Sequence, residues 1–210
     1  MDENRRPIKT RSAGWARRIT DILVKRDLSP NQISVASIVF ALIGISALNI
    51  DTGVTGSILC AIGIQLRLLC NLFDGMVAIE GGKQSPIGSL YNEFPDRIAD
   101  SLLIVGLGYA IGYSDLGWFA ALAAALTAYV RVFGGSIGLA QSFIGPMAKQ
   151  HRMAVMTLAL LINAVEAAVY ATHHVLLIAL IIIAVGSAAT CVTRTLAIAR
   201  QLKGAAHVDQ

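Results

Sequence analysis

The residues able to do chemistry are gathered in one short interval. Between Cys70 and Ser101 an otherwise apolar sequence collects Asn71, Asp74, Glu80, Lys83, Asn92, Glu93, Asp96, Arg97 and Asp100, together with Gly75, Gly81, Gly82 and Gly88. On a helix, Asn71, Asp74 and Ala78 share one face, and Asn92, Asp96 and Asp100 recur every four residues as a second stripe. Two such stripes on neighbouring helices, joined by a Gly-rich turn, can face each other. Their oxygens would suit hard divalent cations such as Mg²⁺, Mn²⁺ or Ca²⁺, which in turn suit phosphates. The competing reading is a loop that is polar because it lies in water. Ionisable residues at the edge of membrane spans are costly and usually functional, which favours the site. Pro95 either kinks the second helix or starts it, with Asn92 near the cap.

The elements that position these residues follow from composition. The chain has 210 residues, 55% of them hydrophobic and 14% charged, too apolar for an ordinary water-soluble domain. The apolar residues concentrate in six stretches: Ile33 to Ile50, Val54 to Cys70, Ser101 to Tyr113 with its preceding turn, Leu116 to Phe133, Met153 to Tyr170 and Val175 to Val192. Each approaches the length of a helix that crosses a bilayer, and continuous runs exclude a membrane β-barrel. The expected fold is all-α, a polytopic membrane protein of six transmembrane helices. Trp15, Ile19, Ile22 and Leu23 recur at helical spacing with bases opposite, predicting an amphipathic interfacial helix over 13–26. Ser29, Pro30 and Gln32 give the start signal of the first span. Helix then continues from Val54 to about Ile79, leaving Asp74 at the bilayer edge. The Ala-rich stretch 120–126 is expected to be a close-packing face. Residues 1–28 thus form an N-terminal segment, 29–202 the membrane domain and 203–210 a tail.

Charge placement decides between partners. The net charge of +4 is consistent with nucleic acid in principle, but the bases sit on one side of the predicted spans. Arg5, Arg6, Lys9, Arg11, Arg17, Arg18, Lys25 and Arg26 precede the first span, and Lys83, Arg97, Lys149, Arg152, Arg194, Arg200 and Lys203 follow the same side. The other connections carry no Lys or Arg. By the positive-inside rule both termini and the polar interval are cytoplasmic, the partner is the lipid bilayer, and nucleic acid is not expected. Cys60, Cys70 and Cys191 lie in apolar runs without metal-ligand spacing and read as small core residues. No cleavable leader is expected, since a long charged segment precedes a full-length first span.

Asp74-Gly75-x-x-Ala78, then Gly88, position 92 and Asp96, resembles the CDP-alcohol phosphotransferase signature D-x-x-D-G-x-x-A-R-x8-G-x3-D-x3-D in register from end to end. The Pro30-Asn31 pair before the first span agrees. The sequence departs where the family has Asp, Arg and Asp, with Asn71, Ile79 and Asn92. The resemblance implies a phospholipid-synthesis enzyme, a homodimer in a bacterial inner (plasma) membrane, that passes a phosphatidyl group from a CDP-linked lipid, CDP-diacylglycerol above all, to an alcohol acceptor and releases CMP. It implies one or two Mg²⁺ or Mn²⁺ ions on Asp74, Asp96, Asn71 and Asn92, with Asp96 also the catalytic base. Gly75, Ala78, Gly88 and Lys83 would contact the nucleotide diphosphate, and Arg131, Lys149 and Arg152 an anionic acceptor. Glu93 and Asp100 are candidate compensating acids, and Arg67 pairs with Asp74 or reaches a phosphate. Two other readings stand beside it: a catalytically weakened relative that binds nucleotide lipid or supports a partner enzyme, and a small transporter using Arg67, Arg131 and Glu166.

Overall fold

The computed structural model describes residues 13–208, with side chains described to residue 204. Arg5, Arg6, Lys9 and Arg11 of the predicted basic segment lie outside the described residues. Seven helices follow in order: α1 (Gly14–Lys25), α2 (Pro30–Ile50), α3 (Val54–Ile79), α4 (Gly88–Ala110), α5 (Ser114–Ser136), α6 (Lys149–Tyr170) and α7 (His174–Val208). The described residues contain no strand. Five helices, α2, α3, α5, α6 and α7, are long and apolar enough to cross a membrane. The outward faces of these helices expose Leu42, Ile43, Leu122, Leu158, Val165 and Val185, an apolar exterior that only lipid can accommodate on this scale. The chain is an integral membrane protein. In α4, 23 residues long, the first half carries Glu93, Asp96, Arg97 and Asp100 and dilutes the apolar character of the second.

Local signals account for most of the boundaries. Ser29 Oγ accepts from the Gln32 amide at 3.2 Å and Gln32 Oε1 accepts from the Ser29 amide at 2.9 Å, so the expected capping box opens α2 with Pro30 in its first turn. Asp51 closes the α2–α3 turn by accepting from Gly53 N at 2.7 Å and Gly56 N at 3.2 Å. Helix α3 ends at Ile79, nine residues past its apolar run and where the sequence reading ends it. Helix α4 starts at Gly88, not at Pro95, which lies inside it and is buried. One missing N–H is tolerated because the ring packs against the bundle. Helix α7 runs for 35 residues and extends through positions 203–208, set apart above as a tail.

The packed pairs α2/α3, α3/α6, α6/α7, α7/α5, α5/α4 and α4/α2 close a ring, with α1 laid against α3. The core runs through Leu48, Ile64, Leu103, Leu107, Met156, Leu160 and Leu180. As the Ala-rich stretch predicts, Ala120, Ala121, Ala123 and Ala124 are buried. Helix α1 docks through its small residues: Ala16 and Thr20 are buried, Thr20 Oγ1 donates to Met76 Sδ at 3.7 Å, and Trp15 meets Phe73 edge-on. This leaves Trp15, Ile19 and Ile22 exposed.

Helices α2 and α3 cross at glycine. A Cβ on Gly63 would stand 2.8 Å from the Phe40 carbonyl oxygen and 2.9 Å from Gly44 Cα. Gly63→Ala is therefore expected to destabilise the bundle by about 1–3 kcal/mol through overpacking, read as a lowered thermal-unfolding midpoint in detergent. An unchanged midpoint would show that the crossing has slack.

Candidate functional site

The two predicted stripes do meet. Asn71 Nδ2 donates to Asp96 Oδ1 at 2.7 Å across the α3/α4 contact. One turn away on both helices, Arg67 Nη2 donates to Asp100 Oδ1 at 2.6 Å and lies 3.5 Å from Asp96 Oδ1. Each step of four residues back along α3 is matched by four forward along α4, the register of antiparallel helices.

Helix α6 approaches from the other side and completes a charge network. Its first residue, Lys149, places its ammonium on Asp96 Oδ2. One turn on, Arg152 Nη2 donates to Asp100 Oδ2 at 2.9 Å and Nη1 to the Met147 carbonyl at 2.9 Å. Asp100 is therefore the shared counter-ion of two buried guanidiniums, Arg67 at 0% and Arg152 at 1% exposure. Arg67 takes Asp96 and Asp100 as partners, not Asp74.

Asp74 belongs to a second contact. It is buried, and Ser34 Oγ on α2 donates to its Oδ2 at 2.7 Å. The field of Asp96 and that of Lys149 both reach it, so the two motif carboxylates share one electrostatic neighbourhood. Asn92, one turn before Asp96, is exposed. Among the described residues no three His, Cys, Asp or Glu side chains stand together as a ready cation cage. Two carboxylates and the amide oxygen of Asn71 are what this corner offers, with exposed Asn92 one turn away along α4.

The remaining predicted residues scatter around that corner. Glu93 accepts from Arg131 at 2.8 and 2.9 Å and lies 3.3 Å from Arg97 Nε. Arg131 also donates to Gln141 at 2.7 Å and lies over the Phe143 ring. Glu93 and Arg131 thus hold each other, one as a predicted compensating acid and the other as a predicted acceptor ligand. Lys83 sits in the α3–α4 loop and donates to Asp27 at 2.6 Å, and this ammonium holds the Asp27 carboxyl below its ordinary pKa. Gly88 is the first residue of α4 and Gly75 and Ala78 lie in the last two turns of α3. Ile79, where the signature has Arg, is exposed at the end of α3.

Three contributors were not singled out from sequence. Ser34 carries the signal that Pro30-Asn31 opens its helix one turn earlier. Arg194 on α7 donates to the Thr127 carbonyl at 2.6 Å and to Ile144 O at 2.9 Å, and Thr190 Oγ1 accepts from Met147 N at 2.9 Å. Together they pin the 137–148 connection that delivers Lys149. Far along α6, Glu166 caps α7 by accepting from His174 N at 2.8 Å and Val175 N at 3.0 Å, an anion at a helix N-terminus. That is a structural use, and nothing links it to a transport path.

No family model matches the chain. It is 25% identical over 155 residues to an archaetidylinositol phosphate synthase from Pyrococcus horikoshii, covering 73% of this chain and 80% of the relative. It is 33% identical over 156 residues to a bifunctional IPC transferase and DIPP synthase from Rubrobacter xylanophilus, covering 71% of this chain but 35% of that protein. The chain thus spans about a third of the bifunctional relative. In fold it is similar to Mycobacterium tuberculosis phosphatidylinositol phosphate synthase. The form of that enzyme solved with CDP-DAG bound has a TM-score of 0.73 at 17% identity, with 89% of this chain and 94% of that one covered. The form with manganese and citrate gives 0.72 at 17% identity, with 87% and 88% covered.

Proposed function

Because the chain belongs to the CDP-alcohol phosphotransferase family, we propose that it transfers a phosphatidyl group from CDP-diacylglycerol to an alcohol and releases CMP. The observation that carries this reading is the contact of Asn71 with Asp96 at 2.7 Å across α3 and α4, with buried Asp74 one turn on from Asn71, so that three positions of the signature lie on facing helices. Two of the similar proteins are an archaetidylinositol phosphate synthase and a phosphatidylinositol phosphate synthase, so inositol phosphate is the first acceptor to test.

The donor set suits a hard divalent cation, Mg²⁺ or Mn²⁺. Asp74 and Asp96 supply carboxylate oxygens, and Asn71 and Asn92 supply neutral amide oxygens. When bound, such an ion neutralises a diphosphate and stabilises the departing phosphate. The residues of this chain do the rest. Gly75, Ala78 and Gly88 keep the α3 and α4 ends free of bulk where a diphosphate would lie, and Lys83 supplies a positive charge at the adjoining loop. Asp96 takes the proton from the acceptor hydroxyl as its oxygen attacks the phosphatidyl phosphorus and the bond to CMP breaks. Asn71 and Lys149 orient that carboxylate. Arg131 and Lys149 are the cations placed for an acceptor phosphate, whereas Arg152 acts from beneath by fixing Asp100 and the Met147 carbonyl.

In the same reading α4 is the sixth crossing, its polar half at the cytoplasmic edge, and α1 lies in that interface with Trp15, Ile19 and Ile22 in the headgroup layer. Both termini are then cytoplasmic, in a bacterial plasma membrane, with two copies forming a dimer.

The test is direct. Purified protein given CDP-diacylglycerol, inositol phosphate, glycerol phosphate or serine, and Mg²⁺ or Mn²⁺, should release CMP in step with a new phospholipid for one acceptor. The engagement of both Asp96 oxygens by amide and ammonium donors favours a second reading, a relative that holds the nucleotide lipid without turning it over. Retained binding of CDP-diacylglycerol with no CMP from any acceptor would establish that second reading in place of the first.

A further inference from the structure

We propose that the Lys149 ammonium supplies in fixed form the positive charge that a second dication brings to a four-carboxylate site, so that this chain binds one divalent cation. The inference rests on the phosphatidyltransferase reading only in taking a diphosphate as the ligand.

The contact between Asn71 and Asp96 is the first reason. At 2.7 Å, two carboxylates in those positions would repel strongly and need a cation between them. With Asn71 the amide donates directly and the bridging cation has no task. The second reason is Asp96 itself, whose Oδ1 is taken by Asn71 and whose Oδ2 is taken by Lys149. Third, the ammonium is delivered by rigid support. Lys149 begins α6, Arg152 one turn later is locked to Asp100 and to Met147 O, and Met147 N is held by Thr190. Its charge reaches Asp74 and Asp100 as well as Asp96. Fourth, the formal charges agree. Asp74, Asp96 and Asp100 are matched by Lys149, Arg67 and Arg152, so the cluster is neutral in formal charge; one dication leaves two positive charges facing the diphosphate, whereas two dications would leave an excess of four.

Counting Mn²⁺ tests this without turnover. The whole protein in detergent with saturating CDP is titrated with Mn²⁺, and free ion is read by electron paramagnetic resonance. Wild type is expected to bind one Mn²⁺ per chain. Lys149→Met should still bind one, about tenfold tighter or more because a nearby like charge is gone. Lys149→Arg keeps the charge and should match wild type, which holds the comparison together should the methionine variant not fold. Asn71→Asp/Asn92→Asp/Lys149→Met should bind two. Two ions or none on wild type, an unchanged Lys149→Met affinity, or a single ion on the triple variant overturns the inference. If one ion binds and CMP is never released, the charge assignment stands and the enzymatic reading alone fails.

Discussion

Asp96→Asn is expected to lower CMP release by about 10²–10⁴-fold, the usual worth of a positioned general base, while the protein remains folded. The substitution keeps the shape and one acceptor oxygen, so Asn71 retains a partner. Arg67 retains Asp100 at 2.6 Å. The loss should fall on kcat, because the proton is taken during transfer and not on binding. A variant with wild-type turnover would remove Asp96 as the base.

Asp100→Leu should have the largest effect on stability. The carboxylate is the counter-ion of Arg67 and Arg152, both fully buried. Its removal leaves Arg152 without a carboxylate partner and Arg67 with only the 3.5 Å contact to Asp96, and breaking a buried ion pair in this way costs about 3–5 kcal/mol. Against a total stability of about 5–15 kcal/mol for a typical domain, that is a large share. The expected result is poor recovery of monodisperse protein and a thermal midpoint many degrees lower. Asp100→Leu/Arg67→Met/Arg152→Met, which removes the charges together, should recover much of the loss. A single Asp100→Leu variant as stable as wild type would mean that the guanidiniums have other means of compensation.

The contrast between these two carboxylates shows what could be read from sequence. Asp96 and Asp100 occupy one stripe, and their spacing alone places them opposite the face of Asn71, Asp74 and Ala78. Helical periodicity carries that much, as do the Ser29 capping box and the α3 end at Ile79. Periodicity gives the angular phase of a residue but not the axial register between helices. Arg67 and Asp74 share a face seven residues apart, yet about 10 Å of helix separates them, so the guanidinium takes its partner from α4 at its own level. The same ignorance of register hid Glu93–Arg131 and Ser34–Asp74, whose members lie 38 and 40 residues apart. Pro95 is a different case: of the two readings its lost donor allows, a kink or a start, the structure removes the start, since α4 runs through a buried Pro95.

The glycine crossing of α2 and α3 works as a fulcrum. Ser34 lies ten residues from Gly44, and Asp74 lies eleven from Gly63. At about 1.5 Å per residue these are lever arms of about 15 and 16 Å, running toward the same end of the bundle. Their near equality brings a hydroxyl on one helix level with a carboxylate on the next. A slip of a single residue at the crossing would carry the pair about 1.5 Å out of step, enough to break a 2.7 Å hydrogen bond. The alignment of this polar corner is thus gauged by two residues that have no side chains and stand three turns away from it.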